Sequence, residues 1–308
     1  MLNPEFTNKD NADVVIIGGS FAGLSAAMQL VRAQRRVVVI DANKPRNRFA
    51  AASHGIFALD GKTPEDIRAT ALAQLRAYPT FELLEDIATG IEQTRDGFAA
   101  LTSKGTQVNA QRVILAMGIT DQLPDIPGVT EHWGKSVIHC PYCHGYELKN
   151  RALGVLATSE MSFHQAAMIP DWGATTLFTQ GRFEPEGQTL SHLQARGVEI
   201  ERSPIVEVVG DGVQIQHVVL ADGRTQPLGG LYVGPKIALN SPLIERLNLE
   251  LEETPLGTIV KVDGFKESSL KGLYVAGDLS NAMQNGTFAI ASGTMAGVAV
   301  HRSLIFDL

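Results

Sequence analysis

"DVVIIGGSFAGLSAAMQLVRAQRRVVVIDAN" (residues 13–43) decides the fold. Its pattern predicts a strand from Asp13 to Ile17, a glycine turn, a helix from about Ala22 to Gln34, a strand from Arg36 to Ile40, and then an acid, Asp41. The unbroken Val/Ile run suits a parallel strand covered on both faces. Gly18 permits a tight turn, Gly23 lets the helix lie close on the strand, and the helix N-terminus offers free N–H groups to a pyrophosphate. Asp41, about twenty residues on, stands where an acid accepts hydrogen bonds from a ribose. Ser20 replaces the middle glycine of the usual fingerprint; it is small enough to let backbone approach a pyrophosphate, and it adds a hydroxyl. With all parts in register, the stretch predicts a dinucleotide site.

Further along, "VILAMGITDQLPDIPGV" (113–129) reads as a strand ending in a small-residue turn, then a Pro-rich crossing. "ALGVLATSEMSFHQAAMIPDWGATTLFTQG" (152–181) repeats strand, helix, strand, and a return crossing falls near 233–247. The last part, with "YVAGD" (274–278), reads as a strand, a loop and a helix. These segments predict an α/β protein with a tail over 1–12, a discontinuous first domain over 13–118 and 240–308, and a second domain inserted at 119–239.

Lys and Arg number 26 against 33 Asp and Glu, a net charge of −7, with 44% hydrophobic residues. An acidic chain without Lys/Arg runs argues against nucleic acid as a partner. The N-terminal residues are polar without a signal-peptide core, which makes a reducing cytoplasm the expected location. The apolar run 288–300 is short for a bilayer span and reads as a buried helix, so no membrane role is expected.

Both cysteines of the chain lie in "HCPYCHGY" (139–146). In a reducing compartment such a pair points to redox chemistry or a metal. His139, Cys140, Cys143 and His144 fall within six residues, and one short loop cannot easily surround a tetrahedral ion, so no metal site is expected. CxxC motifs and neighbouring imidazolium lower a thiol's pKa from about 8.5. His144, adjacent to Cys143, is placed to act as general acid and base.

The dinucleotide fingerprint with Asp41, "AMG" (116–118) before a Pro-rich crossing, a mid-chain CxxC and a C-terminal "YVAGD" stand in one order. This combination resembles the low-molecular-weight thioredoxin reductase family of flavoproteins over nearly the whole chain. The resemblance implies two Rossmann-like domains of the FAD/NAD(P)-binding fold and a homodimer. It implies FAD held by Gly18, Ser20, Phe21, Ala22, Gly23 and Asp41, with Arg48, His54, Ile87, Gly118 and Asp278 also at the cofactor. It further implies that Cys143 lies beside the flavin and that Cys140 exchanges with the partner thiol.

Two departures qualify it. NADPH-using members carry a second glycine-rich turn and a basic cluster after the inserted domain's second strand; here those positions read "LATSEMSFHQ" (156–165) and "FTQGRFEP" (178–185). Glu160 would repel a pyrophosphate, and a lone Arg182 is poor compensation for a 2′-phosphate. His144 also replaces the acid that usually follows the CxxC. Together with "PRNRFAAASHG" (45–55), these features are similar to the flavin-dependent dithiol oxidases of gliotoxin and holomycin type, which close a disulfide in a small molecule and pass electrons to oxygen. The expected substrate is a small-molecule dithiol or disulfide, or a thioredoxin-like protein. Two alternatives stay open: a disulfide reductase fed by NAD(P)H or an electron-carrier protein, and a flavin-binding redox sensor.

Overall fold

Four Val and Ile side chains, Val14 to Ile17, are buried together in the opening strand β1 (Ala12–Ile17), as a strand covered on both faces requires. The computed structural model describes residues 12–239 and 241–306, so the expected tail lies outside the described residues except for Ala12. After β1 come helix α1 (Phe21–Arg32) and strand β2 (Val37–Asp41). Helix α2 (Pro64–Leu75) then precedes strands β3 (Phe81–Glu85), β4 (Ala88–Thr94), β5 (Gly97–Thr102) and β6 (Gln107–Leu115).

The chain divides into two units. One holds the residues up to Arg48, Glu65–Thr120 and the residues from Ala238 on; the other holds Phe49–Pro64 and Asp121–Ile237. Segment 49–64, which the sequence reading assigns to the first domain, packs with the second unit. It carries few core positions, Ile56 among them, so hydrophobic pattern alone does not mark its allegiance.

In the first unit the sheet order is β3-β2-β1-β6-β5-β4. Strand β6 is long enough to serve two neighbours besides β1: Gln107–Ala110 pairs antiparallel with β5, and Val113–Leu115 pairs parallel with a later strand. Parallel strands need crossovers, and α1 is the one between β1 and β2.

Strand β7 (Thr120–Gln122) leads into the second unit, followed by helix α3 (Val129–His132), strand β8 (Val137–Ile138) and a single helical turn, α4 (Pro141–His144). Then come β9 (Leu153–Leu156), α5 (Met161–Met168), β10 (Thr175–Phe178), α6 (Gly187–Ala195) and β11 (Glu199–Glu201). A meander of β12 (Ile205–Gly210), β13 (Ile215–Leu220) and β14 (Thr225–Pro227) precedes β15 (Gly230–Val233). The parallel sheet has the order β11-β10-β9-β15-β8. Alternate side chains face opposite ways: Leu231 and Val233 join the core beneath the meander, while Tyr232 joins the one with α5 and α6 residues Ala166 and Leu193.

Strand β16 (Lys236–Ala238) returns the chain to the first unit, where helix α7 (Pro242–Leu247), hairpin β17 (Leu251–Thr254) and β18 (Gly257–Val260), and strand β19 (Leu273–Val275) precede helix α8 (Gly286–Phe306). At 21 residues, α8 is longer than the apolar run predicts, and it meets the length and composition of a membrane span. One face of it packs on α1: a Cβ on Gly293 would collide with the Ala22 carbonyl, and one on Gly297 would sit 2.7 Å from the Ala26 carbonyl oxygen.

Candidate functional site

In the first unit, the turn after β1 is built for close backbone approach. Gly18 has φ +104°, and a side chain there would run into the Ala116 carbonyl. A Cβ on Gly23 would collide with the Gly18 carbonyl. Ser20 is the N-cap of α1 and its hydroxyl makes no capping bond, so it does not close the helix N-terminus.

The Gly19 peptide is held at both ends. Its N–H donates to Asp41 Oδ1 (3.0 Å), and its carbonyl accepts from Arg68 Nε (2.9 Å). Arg68 Nη2 also reaches Asp41 Oδ2 at 2.5 Å. Asp41 is thus buried, with both oxygens engaged inside the unit, a tighter commitment than a ribose acceptor alone would have. Arg68 lies on α2, where no motif marks it.

Asp278, in the helical turn Gly277–Ser280, pairs with Arg46 Nη1 at 3.0 Å; the same nitrogen donates to Gln284 Oε1, also at 3.0 Å. Gln284 Nε2 is buried without a protein partner. Ala22 is buried against Gly277 and Gly293, Phe21 is half-buried at the head of α1, and Gly118 has φ +69° with open space where a side chain would stand. Arg48 is exposed, and its Nη1 donates to the Pro45 carbonyl; Ile87 is half exposed.

In the second unit, Cys140 and Cys143 form a disulfide with a Cα separation of 5.3 Å, within the usual range. Cys140 is the N-cap of α4, and Pro141 takes the first helical position, where its missing N–H costs nothing. The Gly145 N–H closes the turn onto the Pro141 carbonyl at 2.7 Å. A Cβ on Gly145 would meet the Trp172 ring at 2.9 Å, so glycine is what lets the indole lie against the turn. Tyr142 stands edge-on to Trp172 at 5.9 Å and is largely exposed, as is Tyr146. Gln165 Nε2, on α5, anchors the His139 carbonyl at 2.7 Å.

His144 closes α4, with its Nε2 buried and unpartnered. Burial pushes its pKa below the ordinary value; Glu147 opposes that shift and His54 adds to it. His54 belongs to this unit, where its Nδ1 lies 3.5 Å from Asp60 and its Nε2 3.6 Å from Glu147.

In this unit several groups near the corresponding strand–helix turn bond within the chain. Ahead of α5 the Thr158 N–H donates to Ser162 Oγ (3.1 Å), the Ser162 N–H to the Ser159 carbonyl (3.1 Å) and the Phe163 N–H to the Glu160 carbonyl (3.0 Å). Beyond β10, Arg202 is paired with Glu184, and Arg224 with Glu201 and Asp222.

Residues 12–167 match the pyridine nucleotide-disulphide oxidoreductase family. A thioredoxin reductase of Claviceps purpurea, tcpT, is 33% identical, covering 96% of this chain and 95% of its own; one of Aspergillus oryzae, aclD, is 30% identical, covering 96% and 97%. Among solved structures, an oxidoreductase from Agrobacterium tumefaciens is 44% identical with a TM-score of 0.92, covering 97% of this chain and all of its own. The structure of HlmI is 31% identical with a TM-score of 0.89, covering 97% and 94%.

Proposed function

The chain belongs to the pyridine nucleotide-disulphide oxidoreductase family, among its thioredoxin reductase-like members, and from that membership we propose that it is an FAD-dependent dithiol oxidase of the cytoplasm. Its substrate is a small-molecule dithiol, and oxygen is the final acceptor. The observation that carries this reading is the head of α5, where no glycine stands in 156–165, the carboxylate-bearing Glu160 is the N-cap, and the Thr158 N–H is taken by Ser162 Oγ, a poor cradle for a nicotinamide dinucleotide's pyrophosphate.

The first unit fits FAD. The glycines at 18 and 23 leave the backbone bare, the α1 N-terminus is uncapped by Ser20, and the buried Gln284 amide lacks a partner. Gly18, Ser20, Phe21, Ala22, Gly23 and Gly118 would hold the cofactor, with Asp41 and Arg68 fixing the turn and Asp278 and Gln284 reaching the ribityl or pyrophosphate region. Held there, FAD would supply a two-electron acceptor that oxygen can reoxidise.

The protein's own residues handle the thiols. A substrate thiol loses its proton to His144, whose lowered pKa keeps it in the base form at neutral pH. The thiolate attacks Cys140, the S–S bond breaks, and Cys143 leaves with the electron pair. The second substrate thiol then displaces Cys140, which releases a cyclised disulfide. Exposed Tyr142 and Tyr146 give the substrate an aromatic surface beside the disulfide.

The fungal relatives' names favour the reverse direction, in which the same cysteines reduce a disulfide. One anaerobic experiment separates the two. Flavin bleached by dithiothreitol and not by NADPH, with peroxide formed on admitting air, is the expected result; rapid bleaching by NADPH refutes the oxidase. A flavin indifferent to both would favour a redox sensor. The proposed second partner is another copy of this chain, seated on the outer face of α8, where Phe288, Met295, Val298 and Ile305 are exposed at helical spacing.

A further inference from the structure

Gly145 is a glycine that the backbone does not ask for. Its φ of −63° and ψ of −36° are ordinary helical values open to any residue. What excludes a side chain is space: a Cβ would stand 2.5 Å from the Pro141 carbonyl oxygen and 2.9 Å from Nε1 and Cε2 of Trp172. The α4 turn that holds the Cys140–Cys143 disulfide is therefore pressed directly on the indole. Tyr142, between the two cysteines, meets the same ring edge-on.

The chain entering the turn is held from the same element. Gln165 Nε2 donates to the carbonyl of His139, the residue ahead of Cys140, at 2.7 Å. Gln165, Ile169 and Trp172 follow at i, i+4 and i+7 along α5 and the helical turn that continues it (Ile169–Asp171), the spacing of one face. Ile169, fully buried, roots that face in the core of the unit. The far end is fixed as well. Arg196, closing α6, donates to the Ala167 carbonyl (3.0 Å) and to Asp171 Oδ1 (2.5 Å), and the Trp172 carbonyl accepts the Asn150 N–H at 2.7 Å. An amide on one side of the cysteines and an indole on the other bracket the pair.

We infer that Gln165 and Trp172 form a clamp that holds Cys140 and Cys143 at disulfide distance and so sets their thiol–disulfide equilibrium in favour of the oxidised form. The inference rests on the proposed redox cycling of this pair. The disulfide keeps the two Cα atoms 5.3 Å apart within one helical turn. On reduction two thiols replace the bond, each taking a proton, and no covalent link keeps the sulfurs together. A turn pinned at His139 and Gly145 denies them the freedom that reduction would release, which disfavours the dithiol and leaves the disulfide unstrained. The relative stability of the two forms is what fixes the potential of such a pair. Cysteines held close also re-form their bond readily once the electrons are passed on. Gln165 and Trp172 are positioning residues, acting on the sulfurs through the turn.

The test equilibrates the whole protein anaerobically with mixtures of reduced and oxidised dithiothreitol, traps free thiols with an alkylating agent and reads the reduced fraction by mass. Each dithiothreitol gives up two electrons and two protons, which convert one disulfide to two thiols. Gln165→Met and Trp172→Ala are each expected to shift the equilibrium constant toward the dithiol by about fivefold, and the double variant by more. Trp172→Phe, which keeps a ring on the turn, should fall between Trp172→Ala and the unsubstituted protein. Denaturant midpoints of the two redox forms close the cycle: each substitution should destabilise the oxidised protein more than the reduced. Equal losses in both forms, or an unchanged equilibrium in folded variants, overturn the clamp; if Trp172→Ala does not fold, Gln165→Met and Trp172→Phe decide. When the unsubstituted pair cycles and the variants match it, the clamp alone falls. An unsubstituted pair that dithiothreitol cannot reduce in the folded protein sinks the proposed redox cycling and the clamp with it.

Discussion

Arg68 reaches from α2 to Asp41 at 2.5 Å while its Nε holds the Gly19 carbonyl, so one guanidinium braces the end of β2 against the turn after β1. Charge-assisted hydrogen bonds of this kind are worth about 1.5–3 kcal/mol each. Arg68→Ala should lower stability by about that amount and loosen the bound flavin. Denaturant midpoints, together with the flavin released on dialysis, test this; a variant that keeps both unchanged removes Arg68 from the site.

Gly293→Ala places a methyl group against the Ala22 carbonyl, with backbone on both sides and no flexible side chain to yield. Overpacking of this type costs roughly 1–3 kcal/mol. Gly264→Ala, where nothing lies within 4 Å, is the control and should be near neutral. Equal melting temperatures for the two variants would contradict the close α1–α8 packing.

The His144 pKa is lowered, so the imidazole is neutral at pH 7 and stays a base into mildly acidic solution. The ratio of exchange rates between the unsubstituted protein and His144→Gln should be large above pH 6.5 and fall toward unity only as pH drops through the lowered value. Between that value and about 6.5 the unfolded chain binds more protons than the folded one, so stability declines as pH falls across this window. A rate ratio independent of pH would remove His144 from proton transfer.

Cys143→Ser should abolish the long-wavelength absorbance of a thiolate beside oxidised flavin, whereas Cys140→Ser should retain it. Spectra of the two variants at mildly alkaline pH decide the assignment; the reverse pattern exchanges the roles of the two cysteines.

Val298 follows Gly297 of the α1 contact in sequence, but its own side chain is turned to solvent, and Val298→Asp puts a charge in the middle of the exposed α8 face. It should convert a dimer to a monomer in light scattering without loss of flavin. An unchanged mass refutes α8 as the face between copies.

The β1–α1–β2 unit was legible almost to the residue, because a Val/Ile run, a glycine turn and an apolar helix each have a local cause. The strand, helix and strand over 153–178 were legible for the same reason. What surrounds the chemistry was not. Arg68 reaches Asp41 across 27 positions, Gln165 reaches His139 across 26, and His54 meets Glu147 across a larger gap still. Such pairings leave no periodicity, since each needs one polar side chain at one point on a surface. The sequence did point to His54, through its resemblance, as a cofactor residue; its neighbours in the folded chain are two carboxylates beside the CxxC turn.

Because 49–64 packs with 121–237, the polypeptide changes unit four times. Anyone grafting the cysteine-bearing unit onto a relative would therefore have to transplant two separate stretches. A swap confined to the contiguous insert would carry the cysteines and His144 but leave His54 behind. Simple exchange of that insert out of this chain would face the same obstacle, since it would part the cysteines from a loop encoded more than seventy residues upstream.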